Sequence, residues 1–161
     1  MRKIILVALA IFAICITVSA VSADDSWSFS FGSESNSDGG SVEVVNNELK
    51  IQDEKFTIPD GFKEMDKERV LGNDSTTIDG GKVSTCILKK GDEAIVISVN
   101  YADSELKNIT TPDDAENKTI GGHDGFLLED ENGNPVFQYI DNNKIIAIGA
   151  NNEANIEAVL K

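Results

Sequence analysis

Cys86 and His123 are the two side chains of this sequence best suited to nucleophilic chemistry, a thiol and an imidazole that together could make a cysteine hydrolase. His123 is the only histidine and Cys86 one of two cysteines. Their surroundings argue for quieter roles. Cys86 lies in an apolar, β-like run with no activating motif, the setting of a buried thiol. His123 follows Gly121-Gly122 and precedes Asp124-Gly125, which reads as a surface turn entering a strand. No GxSxG is present, and the glycines around His123 lack the strand-before, helix-after context and the GK[ST] ending of a phosphate loop. The expectation is a protein that is not an enzyme and carries no cofactor.

Oxygen ligands are plentiful, but their spacing is weakly informative. Asp130, Asn132 and Asn134 alternate like the opening of a calcium loop and are the metal candidates. Pro135 stands where such a loop needs glycine and Asp141 where it needs glutamate, so a hairpin turn at Asn132-Gly133 is the favoured reading. Three N-x-[ST] sequons begin at Asn73, Asn108 and Asn117, and these are the glycosylation candidates. A sugar-cleaving pair of carboxylates would need an aromatic cleft that this composition hardly furnishes.

The chain has 161 residues, with 28 acidic against 14 basic side chains and a formal charge of −14. That balance excludes nucleic acid as an expected partner, since phosphate neutralisation needs clustered Lys and Arg. Arg2-Lys3, the apolar run Ile4 to Ile16 and small residues ending at Ala23 have the layout of a secretory signal peptide over residues 1–23. Cleavage is expected after Ala23, with Ala20 the runner-up and an uncleaved anchor the alternative. Loss of Arg2 and Lys3 takes the formal charge to −16. Cys86 is then the only cysteine left, which forbids an internal disulfide. Residues 24–41, DDSWSFSFGSESNSDGGS, form a Ser/Gly-rich flexible tether. Within it Trp27, Phe29 and Phe31 alternate with serine and would share one face of a strand.

Residues 42–161 read as one domain, mainly β. Val42 to Ile51 forms a hairpin about Asn46-Asn47, and Phe56-Thr57-Ile58 is a strand stopped by Pro59-Asp60-Gly61. Phe62, Met65 and Arg69-Val70 recur at near-helical spacing and predict a short helix. Lys82 to Lys90 and Ala94 to Tyr101 make the clearest hairpin, its second strand apolar on both faces like a central strand. Thr111-Pro112-Asp113-Asp114 has the elements of a helix start, with the helix running to Lys118. A meander follows over His123 to Glu129, Pro135 to Ile140 and Lys144 to Gly149. Asn151 or Asn152 caps a C-terminal helix carrying the stripe Ile156, Val159, Leu160. Hairpin-length connections without long crossovers predict an α+β fold, an antiparallel sheet packed by two or three short helices.

FTIPDGF at Phe56 to Phe62, IGGHDGFLLE, and VFQYIDNNKIIAIGANNEANIEAVLK, behind the leader and tether, resemble small secreted proteins of methanogenic archaea. The closing strands and helix also resemble PsbP/Mog1-like α+β domains. The resemblance implies an antiparallel sheet packed by helices and carries over no functional residue. The functional expectation is a monomeric, exported, non-enzymatic interaction module, secreted or cell-surface associated, with an envelope or extracellular partner. The alternative is a small-ligand or cation-binding extracellular protein, and the second alternative is the Cys86–His123 hydrolase.

Overall fold

The computed structural model describes residues 41–106 and 115–161. The expected signal segment 1–23, the expected tether up to Gly40, the expected helix start at 111–114 and the sequon at Asn108 lie outside them.

Paired asparagines with left-handed backbones open the fold. Asn46 and Asn47 have φ of 49° and 64°, the geometry of the two-residue turn that matches strand twist. They join β1 (Val42–Val45) to β2 (Glu48–Ile51), and β3 (Glu54–Thr57) completes a three-stranded antiparallel sheet. The other strands belong to a second, eight-stranded sheet. They are β4 (Lys63–Glu64), β5 (Val70–Asp74), β6 (Lys82–Lys90), β7 (Glu93–Tyr101), β8 (Glu116–Ile120), β9 (His123–Glu129), β10 (Pro135–Asp141) and β11 (Lys144–Ala150). Their order is β4-β6-β7-β11-β10-β9-β8, with β5 also on β6, and every pairing is antiparallel.

Period-two alternation decides what this large sheet buries. Cys86, Ile97, Ile148, Phe137 and Leu127 stand in register across β6, β7, β11, β10 and β9. Beside that row run Ser84, Val99, Ile146, Tyr139 and Gly125. The apolar members of these rows join Leu49, Ile51 and Phe56 of the small sheet in one core cluster. Ile156 and Val159 bring an α-helix, α1 (Glu153–Val159), into it. Asn152 caps α1, its Oδ1 accepting from the Asn155 N–H at 2.9 Å. Gly125 is required in its row, because a Cβ there would lie 2.3 Å from the Gln138 carbonyl oxygen. The opposite face of the sheet buries Ile87, Val96, Val136 and Ile145 together with Thr85, Ser98 and Asn100. Those polar groups are satisfied: the Thr85 and Ser98 hydroxyls share a 2.8 Å bond, and Ser75 Oγ donates to Asn100 Oδ1 at 2.7 Å.

Four expectations are corrected. Strands hold 56% of the described residues and helical turns 9%, so the α+β fold packed by two or three helices gives way to a mainly β fold of two sheets with one α-helix among the described residues. The helix expected over Phe62 to Val70 is two short strands around a 3-10 turn at Asp66–Glu68. Pairing with β6 outweighs the local spacing, as Lys63 meets Lys89 and Val70 meets Thr85. The helix expected to reach Lys118 is displaced by β8, in which Asn117 pairs with Phe126. The antiparallel pairings also make β7 and β8, consecutive in the chain, parallel strands separated by β11, β10 and β9. The connections are therefore not all of hairpin length.

Candidate functional site

Cys86 is fully buried on β6. Beside it Glu64 of β4 receives the Arg69 guanidinium through two bonds, Nε to Oε1 at 2.5 Å and NH2 to Oε2 at 2.6 Å. Burial pushes the thiol up to about 12, the Glu64 carboxylate adding to the shift and Arg69 opposing it. A thiol held protonated at neutral pH is a poor nucleophile. His123 opens β9, with β7, β11 and β10 standing between it and β6. Four interstrand steps of about 4.8 Å put the two backbones on the order of 19 Å apart. The structure does not bring the thiol and the imidazole together.

His123 lies instead against Tyr139, the ring centroids 4.3 Å apart, and Tyr139 stacks in turn on Phe137 at 5.5 Å. It is half-buried rather than a free surface turn residue. An ion pair lies near this stack, its Glu54 carboxylate acting on Tyr139. Lys144 Nζ meets Glu54 Oε1 at 2.7 Å with side chains only 18% and 9% exposed, and Asn142 Nδ2 donates to the same oxygen at 3.3 Å. Alternation on β11 turns Lys144 to the same side as Ile146 and Ile148. Glu54 opens β3, so the pair pins the small sheet to the large one. Burial, and then the Glu54 and Asp141 carboxylates, hold the Tyr139 phenol well above its ordinary range. Sequence reasoning missed Glu54, Lys144 and Tyr139. The pair joins positions 90 residues apart, and charge alternation along a strand is too common to mark it.

Asp130, Asn132 and Asn134 do come together, as a turn. Asp130 Oδ1 accepts from the Asn132 and Asn134 N–H groups, each at 2.8 Å, and Oδ2 accepts from Asn134 Nδ2 at 3.0 Å. Both carboxylate oxygens thus face N–H donors that close the β9–β10 connection, an Asx-type turn. Among the described residues no group of three or more His, Cys, Asp or Glu side chains could hold a metal ion.

The described sequons differ in setting. Asn73 is half-buried in β5, opposite Val83. Its sequon hydroxyl, Ser75 Oγ, also accepts from the Thr77 and Ile78 N–H groups at 3.0 and 3.1 Å. Asn117 is exposed on β8, the outermost strand on its side of the large sheet. A cleft of about 340 Å³ opens there, lined by Asn117, Lys118, Thr119, Asp124, Gly125 and Phe126. Its volume falls at the lower end of small-ligand pockets, about 300–1,000 Å³. Thr119 Oγ1 donates to Asp124 Oδ1 at 2.6 Å across its wall.

In comparison with known proteins, no family model, curated protein or solved structure matches this chain.

Proposed function

We propose that this chain is an exported β-domain that acts as an interaction module at the cell surface or outside the cell, without catalysing a reaction. The observation that carries the reading is the leader: Arg2-Lys3, an apolar run from Ile4 to Ile16, and small residues ending at Ala23. Two features of the folded part support it. The thiol and the imidazole, the natural pair for acyl transfer, sit on strands separated by three others. The strand that follows the aromatic tether, β1, is an edge of the small sheet, with Val44 and Val45 39% and 50% exposed. An exposed apolar edge strand offers unpaired backbone groups to another chain.

The reading is tested by fractionating the native cells and sequencing the protein's N-terminus. Recovery from the envelope or medium with Asp24 at the N-terminus supports it, whereas recovery only from the cytosol beginning at Met1 sinks it. Deleting residues 24–41 separates module from bystander: an interaction role that uses the tether requires loss of surface retention with the melting temperature unchanged.

A further inference from the structure

We propose that Asn117 is an N-glycosylated asparagine and that its first sugar ring rests in the adjoining cleft against Phe126. The proposal depends on the export reading, since the modifying machinery acts on exported chains. Of the two described sequons, only Asn117 has an exposed acceptor amide. Asn73 is half-buried within a strand pair. Asn117 lies directly across from Phe126 in the β8–β9 ladder. An aromatic ring on the neighbouring strand therefore stands within cross-strand reach of the acceptor amide. Around the pair the cleft presents the Thr119 hydroxyl and the Asp124 carboxylate, which share a 2.6 Å bond. One apolar ring with hydrogen-bonding groups at its rim suits a sugar, whose C–H face packs on a ring while its hydroxyls turn to polar partners.

The position also has a structural consequence. Among the described residues β8 ends the large sheet on one side, and a bare edge strand invites another strand to add. A glycan on its second residue covers that edge.

The donor is a lipid-linked glycosyl phosphate. Asn117 Nδ2 forms a bond to the sugar C1 as the bond from C1 to the phosphate oxygen breaks. The phosphate leaves with the electron pair, and the amide gives up one proton.

Glycopeptide mass spectrometry of the protein from its native cells tests this directly. The expected result is a chain starting at Asp24 with a saccharide mass on the peptide containing Asn117, abolished by Asn117→Gln and by Thr119→Ala. A chain starting at Asp24 with Asn117 bare, whatever the state of Asn73 and Asn108, overturns the proposal and leaves the export reading standing. A chain starting at Met1 removes both. The cleft contact has its own readout: enzymatic trimming of the glycan should lower Tm by about 3–5 °C in the native chain. In Phe126→Leu trimming should leave Tm unchanged. An equal drop in both proteins places the sugar outside the cleft. Phe126 lies outside the core cluster, and the mass measurement stands without this variant.

Discussion

Replacing Lys144 by methionine isolates the buried ion pair between the two sheets. In the native protein its ammonium lies 2.7 Å from Glu54 Oε1, with the carboxylate side chain 9% exposed. Methionine fills much the same volume, so packing changes little, but the carboxylate keeps only the Asn142 amide at 3.3 Å. Breaking one side of a buried ion pair costs about 3–5 kcal/mol, chiefly through the charge left behind. The surviving amide places the expected loss near the lower end, about 3 kcal/mol. Against a total stability of about 5–15 kcal/mol for a domain this is a large fraction. Replacing both partners, Glu54→Leu with Lys144→Met, removes the stranded charge and should recover at least about 2 kcal/mol of the loss. Urea unfolding followed by circular dichroism is the assay, because the single tryptophan, Trp27, lies outside the described domain. The midpoint should fall in Lys144→Met and largely return in the double variant, with m unchanged. A loss under about 1 kcal/mol in the single variant, or no recovery in the double, refutes the claim that this pair is buried and couples the sheets.

Other outcomes follow from the same contacts. Gly125→Ala forces a methyl against the Gln138 carbonyl and the Phe137 ring and should cost about 1–3 kcal/mol in the same unfolding assay. Cys86 should resist iodoacetamide at pH 8 in the folded protein and react quickly once unfolded, since its thiol is raised from 9.0 to about 12. A raised acid contributes stability that is complete below its unfolded value and is lost as pH climbs toward the folded one. Stability should therefore decline between pH 9 and 12, by up to about 4 kcal/mol, and Cys86→Ala should flatten that limb. Asp130→Ala removes the acceptor for three N–H groups and should cost about 1–2 kcal/mol. Millimolar calcium should leave the melting temperature of the native protein unmoved, and a rise would mean that Asp130 exchanges its N–H donors for the ion.

How much of this was legible in the sequence depended on the range over which each feature is determined. The turn at Asn46-Asn47 was readable because left-handed backbone at both central residues selects a short list of residue types. The hairpin of β6 and β7 and the meander of β9 to β11 follow from alternation between such turns. Phe62 to Val70 misled because its apolar spacing fits a helix, while the deciding partner, β6, lies later in the chain. Glu116 to Lys118 misled in the same way, since the partner of Asn117 is Phe126. The division into two sheets and the parallel relation of β7 and β8 leave no local trace at all. At the candidate site the turn chemistry of Asp130, Asn132 and Asn134 was visible in advance. The burial of His123 against Tyr139 required the register of β9 on β10.

The strand order fixes a schedule for the growing chain. β6 and β7 can pair as soon as both exist, yet the other edge of β7 waits for β11, where Ile95 meets Ala150 and Tyr101 meets Lys144. Until Lys144 to Ala150 have been made, that apolar edge has no strand to close it, and contacts of such sequence separation form slowly. Glu54 likewise waits for Lys144, so the small sheet gains its buried ion pair only when β11 arrives. Until then the unpaired edge is exposed to association with other chains if synthesis lingers.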